Sequence, residues 1–230
     1  MLRLLALAVP AAALGAVVLS AHAGHAPTPP VTTTAPGRAA PAHGQPKPPA
    51  KHAALKVTMI GDSVADELRY VPSAQRLLGS GVRLRLELAV CRRLVVSSCT
   101  VAGYQPSTAL VLVQQLGRRL GPVVVMAVGY NDYELRYEGD VRQVLTALRQ
   151  AGVEQVLWLT MRAVHQPYLP MNAVLERIAA ERPDVTLVDW NRYSRSHPNW
   201  FDADGLHLDA AGAIAMATLV HKTLAGLGLT

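Results

Sequence analysis

Short apolar runs alternate with stretches of helical spacing along residues 56–228. Residues 57–60 predict a first strand. Residues 64–78 carry apolar side chains at helical spacing and stop at Gly79-Ser80-Gly81. Over 82–90 the leucines and valines alternate with Arg83, Arg85 and Glu87, the pattern of a half-exposed strand. A helix is predicted over 108–120, ended by Gly121-Pro122, and a fully buried strand over 123–128. Then come a helix over 140–150 with Gly152 as its stop, a strand over 153–160, a helix over 171–181 halted by Pro183, and a last strand over 185–188. The final helix covers 209–225, with Asp209 as cap and Gly226 as stop. Apolar strands alternating with helices imply a parallel sheet covered on both faces. In such sheets ligands bind beyond the carboxyl ends of the strands.

The N-terminus does not share this pattern. Arg3 precedes an apolar stretch over 4–19, and Ala21-His22-Ala23 satisfies the small-x-small rule, so residues 1–23 read as an export signal cut after Ala23. The apolar stretch approaches spanning length, so an uncleaved membrane anchor is the alternative. Residues 24–55 are rich in Pro, Ala and Thr, a composition that buries no core and predicts a disordered tether. The folded domain is expected over 56–230, as one domain and one copy of the chain.

The net charge of +6 points at first to an anionic partner. All 16 acidic residues lie at or after Asp62, whereas five of the 22 basic ones (Arg3, Arg38, Lys47, Lys51, Lys56) precede it. That leaves 17 basic against 16 acidic residues from Asp62 onward, which gives no support to nucleic-acid binding. The basic tether is suited to weak association with an anionic cell envelope. Export also changes the reading of the two cysteines. Cys91 and Cys99 are expected to form a disulfide closing a short loop, and they lack the further ligands a metal site requires.

Candidate chemistry gathers at the predicted sheet edge. Gly61-Asp62-Ser63 follows the first strand, and Gly129-Tyr130-Asn131-Asp132 follows the strand over 123–128. Asp204-Gly205-Leu206-His207 precedes the last helix, placing a carboxylate three positions before an imidazole. Ser, His and Asp are the parts of a nucleophilic triad, and an asparagine amide can hold an oxyanion. Each has a plain alternative. Ser63-Val64-Ala65-Asp66 matches a capping box. Asn131 and Asp132 are common in turns, and Asp202 competes with Asp204. Gly103 precedes a helix; either its N–H faces an oxyanion or it simply permits a positive φ. Gly129 is read as letting the backbone pass close to a substrate. Among the other histidines, His165 and His197 fall in loops and His221 on an exposed helix face; Trp190, Trp200 and Phe201 can wall the region near His207.

With these blocks in order, residues 56–228 resemble the SGNH hydrolase superfamily, the GDSL-type esterases and lipases, in an exported bacterial form. Gly61-Asp62-Ser63 matches the first block, Gly103 the second, Gly129-Tyr130-Asn131-Asp132 the third and Asp204-Gly205-Leu206-His207 the last. Val64 stands where a leucine is usual, as in exported domains acting on cell-envelope glycans. The resemblance implies a flavodoxin-like three-layer α/β/α sandwich with about five parallel strands. It implies Ser63 as nucleophile, His207 as general base, Asp204 as its orienter, and the Ser63 and Gly103 N–H groups with the Asn131 amide as oxyanion donors. It implies no cofactor or metal, and an acyl ester as substrate. The expected activity is an exported esterase acting on short O-acyl groups. An O-acyltransferase with the same triad, or an inactive glycan-binding module, are the alternatives.

Overall fold

Five apolar segments form strands: β1 (Leu55–Gly61), β2 (Val82–Leu88), β3 (Val123–Ala127), β4 (Gln155–Leu159) and β5 (Val185–Val188). They form one parallel sheet of order β2-β1-β3-β4-β5. The computed structural model describes residues 54–164 and 168–230. The leader, nearly all of the tether, and His165 lie outside the described residues. Among the described residues no helix is long and apolar enough to cross a membrane.

Alternate residues of the central strands face opposite layers. Ile60, Val124, Met126 and Trp158 pack under α2 (Ala109–Leu116), α3 (Glu134–Gln150) and α4 (Tyr168–Glu181). Val57, Met59, Val125 and Leu157 pack under α1 (Pro72–Leu78) and α6 (Ala210–Gly226). A short α5 (Trp190–Ser194) follows β5. This is the expected flavodoxin-like three-layer sandwich.

Several boundaries differ from expectation. The predicted helix over 64–78 is broken into a 3₁₀ helix (Ser63–Arg69) and α1. Pro72 supplies the break: it has no N–H to continue a helix and holds Val71 extended, at φ −109 and ψ 93. Helix α3 starts at Glu134, six residues before the expected 140, because Tyr137 already faces the core. The last helix behaves as predicted at its start, where Asp209 accepts the Gly212 N–H at 2.8 Å; it runs through Gly226.

The strand order reverses between β1 and β3, one leading to β2 and the other to β4. The crevice outside their carboxyl ends is where open α/β sheets bind ligands. Ser63 follows β1 and Asn131 follows β3.

Candidate active site

Gly61 ends β1 under tight packing. A Cβ there would lie 2.7 Å from Leu88 Cδ2 and 2.9 Å from Ala65 Cβ. The next residue, Asp62, is fully buried and caps the 3₁₀ helix, its Oδ1 accepting the Val64 N–H at 3.1 Å. The capping function considered for Ser63 thus belongs to Asp62. Ser63 is the first helical residue, its hydroxyl not used as a cap and its N–H without an acceptor among the described residues.

The hydroxyl meets the loop before α6. His207 Nε2 lies 3.0 Å from Ser63 Oγ, and His207 Nδ1 lies 2.6 Å from Asp204 Oδ2. Asp204 Oδ1 accepts the N–H groups of Leu206 and His207 at 2.9 and 3.0 Å, so the carboxylate shapes the turn that carries the imidazole. The His207 contact, followed by these N–H bonds, holds the Asp204 carboxyl down at about 2. Asp204, not Asp202, faces the ring; Asp202 closes the loop through its backbone, donating to His207 O at 2.9 Å and accepting from Gly205 N at 2.8 Å. Arg162, just beyond β4, braces this loop by donating from Nε to Gly205 O at 3.1 Å, with its guanidinium 4.2 Å from the Phe201 ring centroid. Sequence reading passed over Arg162. Its position after a buried strand was the available signal.

Asp62 also ties the two motif turns together. Its Oδ2 accepts the N–H groups of Gly129 and Tyr130, both at 3.1 Å. Burial outweighs these three hydrogen bonds and pushes the Asp62 carboxyl up to about 6. Sequence reading gave this residue no chemical role. The space at Gly129 is likewise used by the chain itself, since a Cβ there would meet Met161 Sδ at 2.7 Å and the Tyr137 hydroxyl at 2.9 Å. Substrate approach is not what this glycine makes room for.

Asn131 and Asp132 are laced to the segment after β2. Asn131 Nδ2 donates to Arg92 O at 3.3 Å, and Arg93 Nε donates to Asn131 O at 2.8 Å. Both Asp132 oxygens accept the Leu94 N–H, at 3.0 and 3.2 Å. Burial pushes the Asp132 carboxyl up to about 7. Only one Asn131 amide hydrogen is engaged by the described residues.

Cys91 and Cys99 are joined by a disulfide, with Cα atoms 5.5 Å apart. Cys91 adopts φ +69, a left-handed conformation uncommon outside glycine, and its N–H has no acceptor among the described residues. Gly103 takes φ +80 beside Ala102 at φ +50, in an exposed turn closed by paired 2.9 Å bonds between Val101 and Tyr104. The positive φ required of Gly103 is therefore present. Trp190 and Phe201 are buried, and Trp190, Trp200 and Phe201 form an aromatic group under α6. His197 stacks on Trp200 at 3.8 Å. His221 is half-buried instead of exposed, with its Nδ1 enclosed. Among the described residues no three His, Cys, Asp or Glu side chains converge as a metal-binding group.

No family model matches the chain. A Bacillus subtilis (strain 168) protein, YrhL, provisionally named a peptidoglycan O-acetyltransferase, is 28% identical over 157 residues, which are 66% of this chain and 24% of that protein. The O-acetyltransferase OatA of Staphylococcus aureus (strain NCTC 8325 / PS 47) is 41% identical over 54 residues, 24% of this chain and 9% of that one. The chain thus spans a quarter or less of these curated relatives. Among solved structures, the C-terminal catalytic domain of the Streptococcus pneumoniae peptidoglycan O-acetyltransferase A superposes with TM-score 0.56 at 21% identity, covering 76% of this chain and 93% of that domain. A carbohydrate acetylesterase family member from Sinorhizobium meliloti gives TM-score 0.56 at 20% identity, covering 75% and 99%. Sequence blocks and architecture agree: the chain has the SGNH hydrolase fold.

Proposed function

We propose that this chain is an exported serine esterase that removes short O-acyl groups from cell-envelope or extracellular glycans. The observation that carries the reading is His207, with Nε2 at 3.0 Å from Ser63 Oγ and Nδ1 at 2.6 Å from Asp204 Oδ2. Ser63 Oγ attacks the ester carbonyl while its proton passes to His207 Nε2. The carbonyl carbon–alkoxide bond then breaks, and the leaving alcohol takes that proton from His207. Water, deprotonated in turn by His207, attacks the acyl-serine; the acyl carbon–Oγ bond breaks, Ser63 Oγ recovers the proton from His207, and the acid is released. Asp204 holds the tautomer and stabilises the imidazolium.

The oxyanion is assigned to the Ser63 N–H and the second amide hydrogen of Asn131. Gly103 N–H was the expected third donor. Like that of Cys91, which follows the strand paired with β1, its N–H has no acceptor among the described residues. Each such donor is typically worth about 3 kcal/mol in the transition state.

Transfer of the acyl group to a sugar hydroxyl instead of water is the second reading, favoured by the names of the curated relatives. The contact among Ser63, His207 and Asp204 weighs against an inactive binding module. An extracytoplasmic location behind a leader (residues 1–23) and tether (24–55) is part of the proposal, and the Cys91–Cys99 disulfide is in keeping with it. Turnover of p-nitrophenyl acetate by the purified protein, compared with Ser63→Ala, tests the reading. Absence of turnover in both overturns it. Acetate release with and without glycan acceptors separates hydrolysis from transfer.

A further inference from the structure

Beside the pocket of about 230 Å³ that holds Ser63 and His207 lies a larger groove of about 460 Å³. The two share Asp66, Tyr70 and Val90, so they adjoin. The floor of the groove is the end of β2. One wall is the 3₁₀ helix that begins at Ser63, and the other is the segment through and beyond the Cys91–Cys99 loop. Its volume is within the roughly 300–1,000 Å³ usual for ligand sites.

Its chemistry is mixed in a way that selects an occupant. Tyr70 and Tyr104 line it and are 66% and 65% exposed, an unusual display of two large rings at one site. A tyrosine offers an apolar face together with a polar hydroxyl tip. Arg92, also lining the groove, is only 4% exposed. Its Nε and Nη1 donate to the Ser107 and Glu87 carbonyls, and no carboxylate pairs with it among the described residues. Burial lowers the affinity of this guanidinium for its proton. Asp66 supplies acceptor oxygens at the junction with the Ser63 pocket, where it pairs with Arg69 at 2.9 Å. An acyl chain or lipid would require continuous apolar walls. Flat aromatic faces combined with fixed donors and acceptors fit a ring that is apolar on its C–H face and hydroxylated at its edge, a pyranose.

We propose that this groove is a carbohydrate subsite holding a neighbouring sugar of an extended glycan, with Tyr70 and Tyr104 as stacking walls, while the esterified sugar reaches Ser63. The inference rests on the reading of Ser63 as nucleophile. It makes the enzyme selective for oligomeric over small esters, and makes the two tyrosines specificity-determining residues.

The test compares kcat/KM on an O-acetylated chitooligosaccharide with kcat/KM on p-nitrophenyl acetate. In Tyr104→Ala and Tyr70→Ala the ratio of the two should fall ~10-fold, the loss of about 1.4 kcal/mol of contact, carried by KM of the oligosaccharide. Tyr104→Phe and Tyr70→Phe, which keep the ring, should restore the ratio. A ratio unchanged in both alanine variants overturns the subsite, while p-nitrophenyl acetate turnover by the parent leaves the Ser63 reading standing. If the parent turns over neither ester, the Ser63 reading fails; calorimetric titration with the same oligosaccharide then tests the groove alone. Binding that weakens ~10-fold in Tyr104→Ala supports the groove, and absence of binding to the parent overturns it.

Discussion

Asp62→Asn is the most informative single change at the sheet edge. In the parent, two carboxylate oxygens accept three backbone N–H groups, from Val64, Gly129 and Tyr130, in a fully buried setting. An asparagine has one acceptor oxygen. If that oxygen keeps Gly129 and Tyr130, the amide NH₂ faces the Val64 N–H, leaving that buried donor and the amide's own hydrogens unpaired, at a cost of at least about 1–3 kcal/mol. The second part of the magnitude depends on pH. Burial raises the native Asp62 carboxyl from 3.8 to about 6. Between these values the native state holds a proton that the unfolded state has lost, so stability falls as pH rises through the window. The full displacement corresponds to about 3 kcal/mol, of which the parent loses about 2 kcal/mol on going from pH 4.5 to 7, and asparagine, having no proton to lose, is spared it. Asp132, pushed up to about 7 chiefly by burial, acts with the same sign in both proteins, less so in the variant because the Asp62 charge adds to its shift. The variant should therefore be clearly less stable near pH 4.5, and the gap should shrink by about 2 kcal/mol by pH 7, or roughly 4–8 °C in Tm for a domain of this size. Calorimetric and urea melts of both proteins across that range provide the assay. A gap that stays constant or widens with pH would refute the argument and mean that the three N–H bonds keep Asp62 ionised throughout.

A serine-directed phosphonate should label Ser63 and abolish esterase activity; labelling elsewhere, with Ser63→Ala still active, removes it from the mechanism. Asn131→Ala should lower kcat ~100-fold or more with little change in KM, because the bond strengthens only in the transition state. Its Tm should drop only modestly, since the one bond lost, to Arg92 O, is 3.3 Å long; near-normal kcat in a stable variant would leave the oxyanion to backbone donors. Asp204→Asn should cost ~10⁴-fold in kcat, the effect of losing the orienting carboxylate, with Tm nearly unchanged because that side chain is 49% exposed. Purified protein should be two hydrogens lighter before reduction than after, and reduction should destabilise the domain by about 2–3 kcal/mol in the loop-entropy model, together with loss of activity, because the Cys91–Cys99 loop carries the Arg92 and Arg93 contacts to Asn131.

Much of the architecture was legible in the chain because burial on both faces leaves a local trace. β3 is fully buried and reads as five consecutive apolar residues, and β5 falls at the predicted 185–188. Parallel order and a site at the carboxyl edge follow from strand–helix alternation. Ser63, Asn131 and the Asp204–His207 spacing were visible for the same reason: each directly follows a strand or precedes a helix whose limits the pattern shows. Pro72 was equally visible in principle, yet the apolar spacing of 64–78 masked a break set by the backbone of Val71.

What no local pattern contains is a contact between residues far apart in the chain. Ser63 and His207 are separated by 144 positions, and only the packing of α6 against α1 and the 3₁₀ helix that begins at Ser63 brings Nε2 to 3.0 Å from Oγ. The role of Asp62 required the neighbouring β3 turn, 67 and 68 residues away, whose N–H groups it binds. Tyr70, within the predicted helix over 64–78, and Tyr104, in a loop, look ordinary until the register of β2 against β1 sets them on one groove. Periodicity records how much of each residue is buried; which buried or exposed groups meet is decided by strand order and helix docking, and those are properties of the whole chain.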